Sequence, residues 1–146
     1  MAAAIVLSAL MMNSHRVVED RLRRENQAIG YVSWFMVQFT SIDPYHANDY
    51  IKRVLDQSTG DFAKQYTQRA NEILLQVARA EPATGTVVGA GLERWNDDGS
   101  ANVVVASQVT SKSPDEKTMY QKSNRWTVTA RQEGMQWKIS NLLQVI

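Results

Sequence analysis

Residues 59–80 read TGDFAKQYTQRANEILLQVARA, and the spacing inside this stretch sets the architecture expected of the whole chain. Phe62, Tyr66, Ala70, Ile73 and Val77 recur at intervals of three and four, which aligns them along one side of a helix. Thr59 is placed to cap that helix, its hydroxyl accepting from a backbone N–H of the first turn. The Asp61 carboxylate sits where the positive end of the helix dipole favours an anion. Glu81-Pro82 closes the run, because the residue before a proline is pushed out of helical geometry. A helix of this length is not stable alone in water, and the large apolar surface available to it is the β-rich stretch from Thr84 to Ile146.

Beyond Pro82 the period changes from nearly four to two. Thr84 to Trp95 reads as a strand in which Gly85, Gly89 and Gly91 permit strong bending or close approach to another backbone. Asn96-Asp97-Asp98-Gly99 is a hairpin signal. Ala101 to Thr110 follows with Val103, Val105, Ser107 and Val109 on one face and Val104 and Ala106 on the other, the pattern of a central strand. Ser111 to Thr118 has the composition of an exposed, mobile loop. Tyr120 to Gln132 turns Trp126, Val128 and Ala130 inward and Arg125, Thr127, Thr129 and Arg131 to water. Glu133-Gly134 reverses the chain, and Trp137-Lys138-Ile139 opens the last strand.

Upstream, Gln57-Ser58 joins residues 59–80 to a short helix through Tyr50, Ile51, Val54 and Leu55, with Asp43 as its cap and Pro44 at its first position. Ile29, Val32, Phe35, Met36 and Phe39 form a helical stripe, and with the charged run from Arg16 to Glu25 they predict one long helix from about His15 to Thr40. Trp34 lies off that stripe beside Tyr31 and Gln38, as packing or as a partner surface. The mixed charges of the run read as a solvated face with i,i+4 pairs, or as a collar at lipid head groups whose arginines the positive-inside rule would set in the cytoplasm. Ala2 to Met12 is apolar except for Ser8 but would reach only about 16 Å as a helix, against a hydrocarbon core of roughly 30 Å. It reads as the end of a membrane helix, a signal-peptide core or a buried soluble helix.

The fold class expected is therefore α+β: three N-terminal helices packed on a curved antiparallel sheet of about four strands, a cone, preceded by a short membrane-helix segment. The corresponding partition is residues 1–14, an incomplete anchor; 15–42, a connecting helix; and 43–146, the cone. At 146 residues the chain is one domain by length. Its 16 basic and 15 acidic side chains give a formal net charge of +1, which does not point to nucleic acid. The absence of cysteine excludes disulfides, thiolate metal sites and a cysteine nucleophile.

In that order the chain resembles the Mce-associated membrane proteins of mycobacteria. The matching residues are Val54-Leu55, Thr59-Gly60-Asp61-Phe62 and Tyr66, Gly85-Thr86-Val87-Val88, Asp97-Asp98-Gly99 before Val103-Val104-Val105, Arg125-Trp126-Thr127-Val128, Trp137-Lys138-Ile139 and Leu142-Leu143. The likeness covers roughly residues 28–146. It implies a nuclear-transport-factor-2-like cone, related also to type IV secretion assembly components, held by one membrane helix with the folded domain outside the cytoplasmic membrane. It further implies a non-catalytic accessory subunit of an Mce-type lipid importer, partnered by permease and Mce chains, with no cofactor.

The same cone houses ketosteroid-isomerase and polyketide-cyclase enzymes, so fold alone does not assign function. Catalytic candidates would be Asp43, His46, Asp49, Tyr50, Asp56 and Tyr66, but helix starts, solvent exposure and amphipathic packing account for each, and no acid, base and donor converge. His15 and His46 lack a carboxylate neighbour at metal-ligand spacing, and no phosphate loop occurs, so no catalytic, cofactor or metal residue is assigned. The contact surface expected with membrane or partner is Ile5, Val6, Leu7, Leu10, Met11 and Trp34. A third reading, a cone that holds a lipid in its mouth, would use Trp95, Trp126 and Trp137 as lining.

Overall fold

The structure, a computed structural model, describes residues 2–146, apart from the side chains of residues 2–5 and 7. Helix α1 (Ala2–Thr40) is followed by a 3-10 turn (Pro44–His46) and by α2 (Ala47–Asp56), α3 (Gly60–Gln68) and α4 (Ala70–Arg79). Strands β1 (Ala83–Trp95), β2 (Ala101–Lys112), β3 (Met119–Glu133) and β4 (Gln136–Val145) then form one antiparallel sheet in the order β1-β2-β3-β4. The α+β class and the four-stranded meander agree with the reading of the sequence. The helices differ: four are present among the described residues, where three were expected.

The extra helix comes from residues 59–80, which break at Arg69 (φ −104°, ψ 8°). The Thr67 hydroxyl donates to the Ala63 carbonyl at 2.7 Å, a back-bond that bends helices, and the Arg69 guanidinium turns forward to Glu72 at 3.1 Å. Thr59 occupies the cap position but makes no side-chain cap bond. Its hydroxyl instead donates to Glu133 at 2.6 Å and accepts from Arg131 at 3.2 Å. The carboxylate and guanidinium offer charge-assisted bonds that a neutral cap does not match. The Thr59 bond, with Arg131 beside it, holds the Glu133 carboxyl below the usual carboxylate range.

A second correction concerns which helix the sheet carries. Ala28, Val32 and Met36 of α1 are fully buried and Phe35 is 1% exposed, whereas residues 59–80 contribute only Tyr66 and Val77 to the fully covered core. Helix α1 touches all four strands; α3 packs on β4, and α4 packs on α2 and the 3-10 turn. Two adjacent rows of α1, one through Ala28, Val32 and Phe35 and one through Met36, give a wider apolar face than the broken pair can offer. Helix α1 is also longer than expected, about 58 Å, and runs unbroken across the boundary placed between residues 14 and 15.

On the sheet, Ala101, Val103, Val105 and Ser107 of β2 face the helices, as do Val128 and Ala130 of β3 and Trp137 and Ile139 of β4. The buried Ser107 hydroxyl accepts from Trp126 Nε1 at 2.9 Å, so this polar pair is satisfied inside the core. Register shifts after Val87, Leu92 and Thr129 curve the sheet around α1. Both edges are partly closed by non-strand backbone. Ile42 and Ala83 exchange two bonds of 2.9 Å at the β1 edge, and Ile139 bonds Gln57 and Thr59 at 2.8 Å each at the β4 edge. Gly85 is where close approach is required: a Cβ there would lie 1.8 Å from Thr40 Oγ1.

Candidate functional site

The inside of the cone is occupied by aromatic rings. Phe35 stacks on Phe39 with centroids 5.8 Å apart and meets Phe62 edge-on at 6.4 Å; Trp126 meets Phe39 edge-on at 5.8 Å, and Phe62 tilts against Tyr66 at 5.7 Å. Such pairs contribute about 0.5–1.5 kcal/mol each beyond their burial. Tyr50 donates to the Phe39 carbonyl at 2.6 Å. The Tyr66 hydroxyl is buried with no hydrogen-bond partner of good geometry, close enough to Tyr50 for each to affect the other's ionisation. Burial pushes the Tyr66 pKa up to about 12 and raises that of Tyr50 as well. Both tyrosines of the catalytic shortlist thus keep their protons at neutral pH and pack among the rings.

The polar candidates lie elsewhere. A cleft of about 1140 Å³ opens between the end of α1, the 3-10 turn and the β2–β3 loop, lined among others by Asp43, His46, Asp49, Arg53, Lys112 and Glu116. Asp43 is a cap, accepting from Tyr45 N at 3.0 Å, but of the 3-10 turn and not of α2 as expected; α2 starts after His46, which makes no side-chain cap bond. It also meets His46 Nδ1 at 2.6 Å, and His15 meets Glu19 at 2.9 Å, so both histidines do have a carboxylate neighbour, contrary to the expectation from sequence. A three- or four-residue step on a helix brings side chains together, which chain spacing alone understates. Among the described residues no three potential ligands converge as a metal site requires. Asp56 and Asp49 face solvent.

The His46 bond, with Tyr45 N–H adding to it, holds the Asp43 carboxyl below its usual range. A depressed carboxylate stabilises the fold above its unfolded pKa, and that contribution is lost as pH falls through the folded value. We expect His46→Ala to move the Asp43 titration, followed by side-chain carbonyl NMR, up toward the ordinary carboxylate range. An unmoved titration would mean that the pair does not form in solution.

The three indoles sit in different surroundings. Trp137 is in the core at 9% exposure; Trp126 is bonded to Ser107 and borders a groove on the far side of the sheet; Trp95 carries the Arg24 guanidinium 4.9 Å above its ring. On α1, Val6, Leu10 and Met11 are exposed, while the side chains of Ile5 and Leu7 lie outside the described residues. Leu10, Met11, Ser14, His15 and Val18 form one apolar groove along the helix. Trp34 is 50% exposed, with Tyr31 tilted against it at 6.0 Å. Tyr31 in turn donates to the Gln57 side chain at 2.8 Å, fixing the aromatic pair against α2.

The family described as "Uncharacterized protein Rv1363c/MT1408-like" matches residues 1–145. The chain belongs to this family. A curated relative, the "Uncharacterized protein Rv1363c" of Mycobacterium tuberculosis (strain ATCC 25618 / H37Rv), is 29% identical over 150 residues, and the match covers 97% of this chain and 57% of the relative's length. The Rv1363c/MT1408-like fold is similar to a periplasmic fragment of TraM, with a TM-score of 0.63 at 16% identity over 82% of this chain and 95% of that one. It is similar also to CagV, a VirB8 homolog of T4SS from Helicobacter pylori, with a TM-score of 0.65 at 11% identity over 80% and 94%. An Ntf2-like protein involved in plasmid conjugation gives 0.54 at 16% identity over 83% and 48%. These likenesses show the fold alone: an α+β arrangement of helices on a four-stranded antiparallel sheet whose structural neighbours include the Ntf2-like type.

Three surface features of this Rv1363c/MT1408-like chain lay outside the sequence reading. The Asp43–His46 pair was detectable from its i,i+3 spacing. The Arg24–Trp95 contact was not, since it joins residues 71 positions apart. The groove beyond the sheet was announced only by glycines that strand alternation leaves unexplained.

Proposed function

We propose that this protein is a non-catalytic accessory subunit that works by contact in the cell envelope, assembling with or stabilising an Mce-type lipid importer through its permease and Mce chains. Its folded domain faces outward from the cytoplasmic membrane, and its N-terminal segment meets the membrane or a membrane subunit. The observation that carries this reading is the outer half of α1, where Val6, Leu10, Met11, Met12, Val17, Val18 and Leu22 are all more than half exposed on a helix rooted in the core. A projecting helix with this much uncovered apolar surface is marginal in water and calls for a partner. Among the described residues no helix is long and apolar enough to cross a membrane. The Mce assignment rests on the residues of the resemblance, and the outward-facing placement draws on the periplasmic description of the TraM fragment.

Pull-down from detergent-solubilised membranes with mass spectrometry tests the reading, with co-purified permease and Mce chains as the expected result. Deleting Ala2 to Met12 should move the protein from the membrane to the soluble fraction with its thermal midpoint unchanged, because the described side chains there are exposed. Retention at the membrane with the transporter still bound would refute the assigned role of this segment. A second reading, small-molecule chemistry in the 1140 Å³ cleft, is favoured by the Asp43–His46 pair alone. Loss of lipid uptake in a His46→Ala protein that still assembles would select it.

A further inference from the structure

The sheet face turned away from the helices carries an arrangement that the chain's own packing does not explain. The register sets Gly89, Ala106, Arg125 and Val145 side by side across the four strands, and Gly91, Val104, Thr127 and Leu143 in the next row. Directly opposed residues share a face, so these eight form one patch. It holds an apolar groove of about 420 Å³ floored at Gly89 and Gly91. A Cβ added at either glycine would meet nothing within 4 Å, and neither has a positive φ, so neither packing nor backbone conformation demands glycine. Glycine in a strand interior weakens the strand and marks a bulge, a bend or the approach of another backbone; register shifts lie beside Gly89 and just beyond Gly91, and they leave both positions open on this face.

Val104, Leu143 and Val145 stand 43%, 56% and 50% exposed around this floor. Arg125 is the sole charge of the two rows, is exposed, and has no hydrogen-bond or ion-pair partner among the described residues.

We propose that this face docks a partner protein, one that seats an apolar ridge over Gly89 and Gly91 and sets a carboxylate on Arg125. The inference rests on the reading that the protein acts by contact, and it names a surface distinct from α1. Charge selects the occupant. A second copy stacked face to face would bring Arg125 toward its equal with no acid in either patch, while a partner with an aspartate or glutamate gains a charge-assisted bond in a partly dry setting. A small amphiphile is a poorer fit, because ligand sites bury roughly 70–90% of their ligand and this groove lies open on a sheet face.

The test places a photo-cross-linking phenylalanine at Val104 of the full chain in cells, with Lys64 on exposed α3 as the control position. We expect a discrete heterologous adduct from position 104 whose cross-linked peptide carries apolar residues with Asp or Glu within one turn. Arg125→Glu should cut its yield at least about fivefold. Gly91→Ile should abolish it while raising the thermal midpoint by about 2–4 °C, the opposite of a folding defect. An adduct with a second copy, an adduct with lipid, a yield unchanged in both variants, or no adduct above the control would each overturn the proposal. Permease and Mce chains co-purifying without the adduct would remove this surface and leave the assembly reading standing. The adduct without those chains would do the reverse.

Discussion

Phe35→Ala is expected to destabilise the protein by about 3–5 kcal/mol, the range for emptying an aromatic site in a packed core. Phe35 is 1% exposed, stacks on Phe39 and meets Phe62 edge-on, so the change removes burial and two ring contacts together. The thermal midpoint should fall by roughly 10 °C or more. Urea unfolding should show a lower midpoint with an unchanged slope, since the surface exposed on unfolding is nearly the same. Trp34→Ala, one position earlier on the same helix, is the control: its ring is 50% exposed, and the expected cost is about 1 kcal/mol or less. Equal losses at the two positions would contradict the orientation of α1.

Gly85→Ala is expected to cost about 2–3 kcal/mol although it adds one methyl group. The new Cβ would fall 1.8 Å from Thr40 Oγ1 and 2.7 Å from Thr40 Cβ. Thr40 has no room to yield, because its hydroxyl donates to the Met36 carbonyl at 2.6 Å and its side chain is buried, while Gly85 N–H is tied to Ser41 Oγ at 3.0 Å. Thr40→Ala should therefore recover little of the loss. Thr40→Gly should recover more, leaving the Thr40 carbonyl carbon 3.1 Å away as the residual obstacle. Gly89→Ala, four residues along the same strand, should be neutral or slightly stabilising by differential scanning calorimetry. A tolerated Gly85→Ala would mean that α1 and β1 stand further apart than described.

These pairs locate the boundary of sequence reasoning. Gly85, Gly89 and Gly91 look alike in a strand pattern, yet one lies against a helix end and two face open space. The hairpin at Asn96 to Gly99 and the shared face of Val103, Val105 and Ser107 were legible because turn chemistry and alternation belong to neighbouring residues, whereas which face of β2 is buried was decided by packing. The cap at Asp43 was legible for the same reason, and its contact with His46 follows from the i,i+3 spacing on a helical turn. Thr59 was misread because the groups that claim its hydroxyl, Arg131 and Glu133, arrive from more than 70 positions away.

By itself the sequence determined the α+β class, the approximate extents of the four strands and the inward side of β3, since these depend on periods of two and near four that each segment carries alone. Tertiary structure decided that α1, and not residues 59–80, is the helix on which the sheet closes, and that residues 59–80 bend at Arg69. It also decided which faces of α1 and of the sheet stay uncovered. Apolar stripes on several helices compete for one sheet, and the outcome depends on the relative width and reach of all of them at once. No single segment contains that comparison.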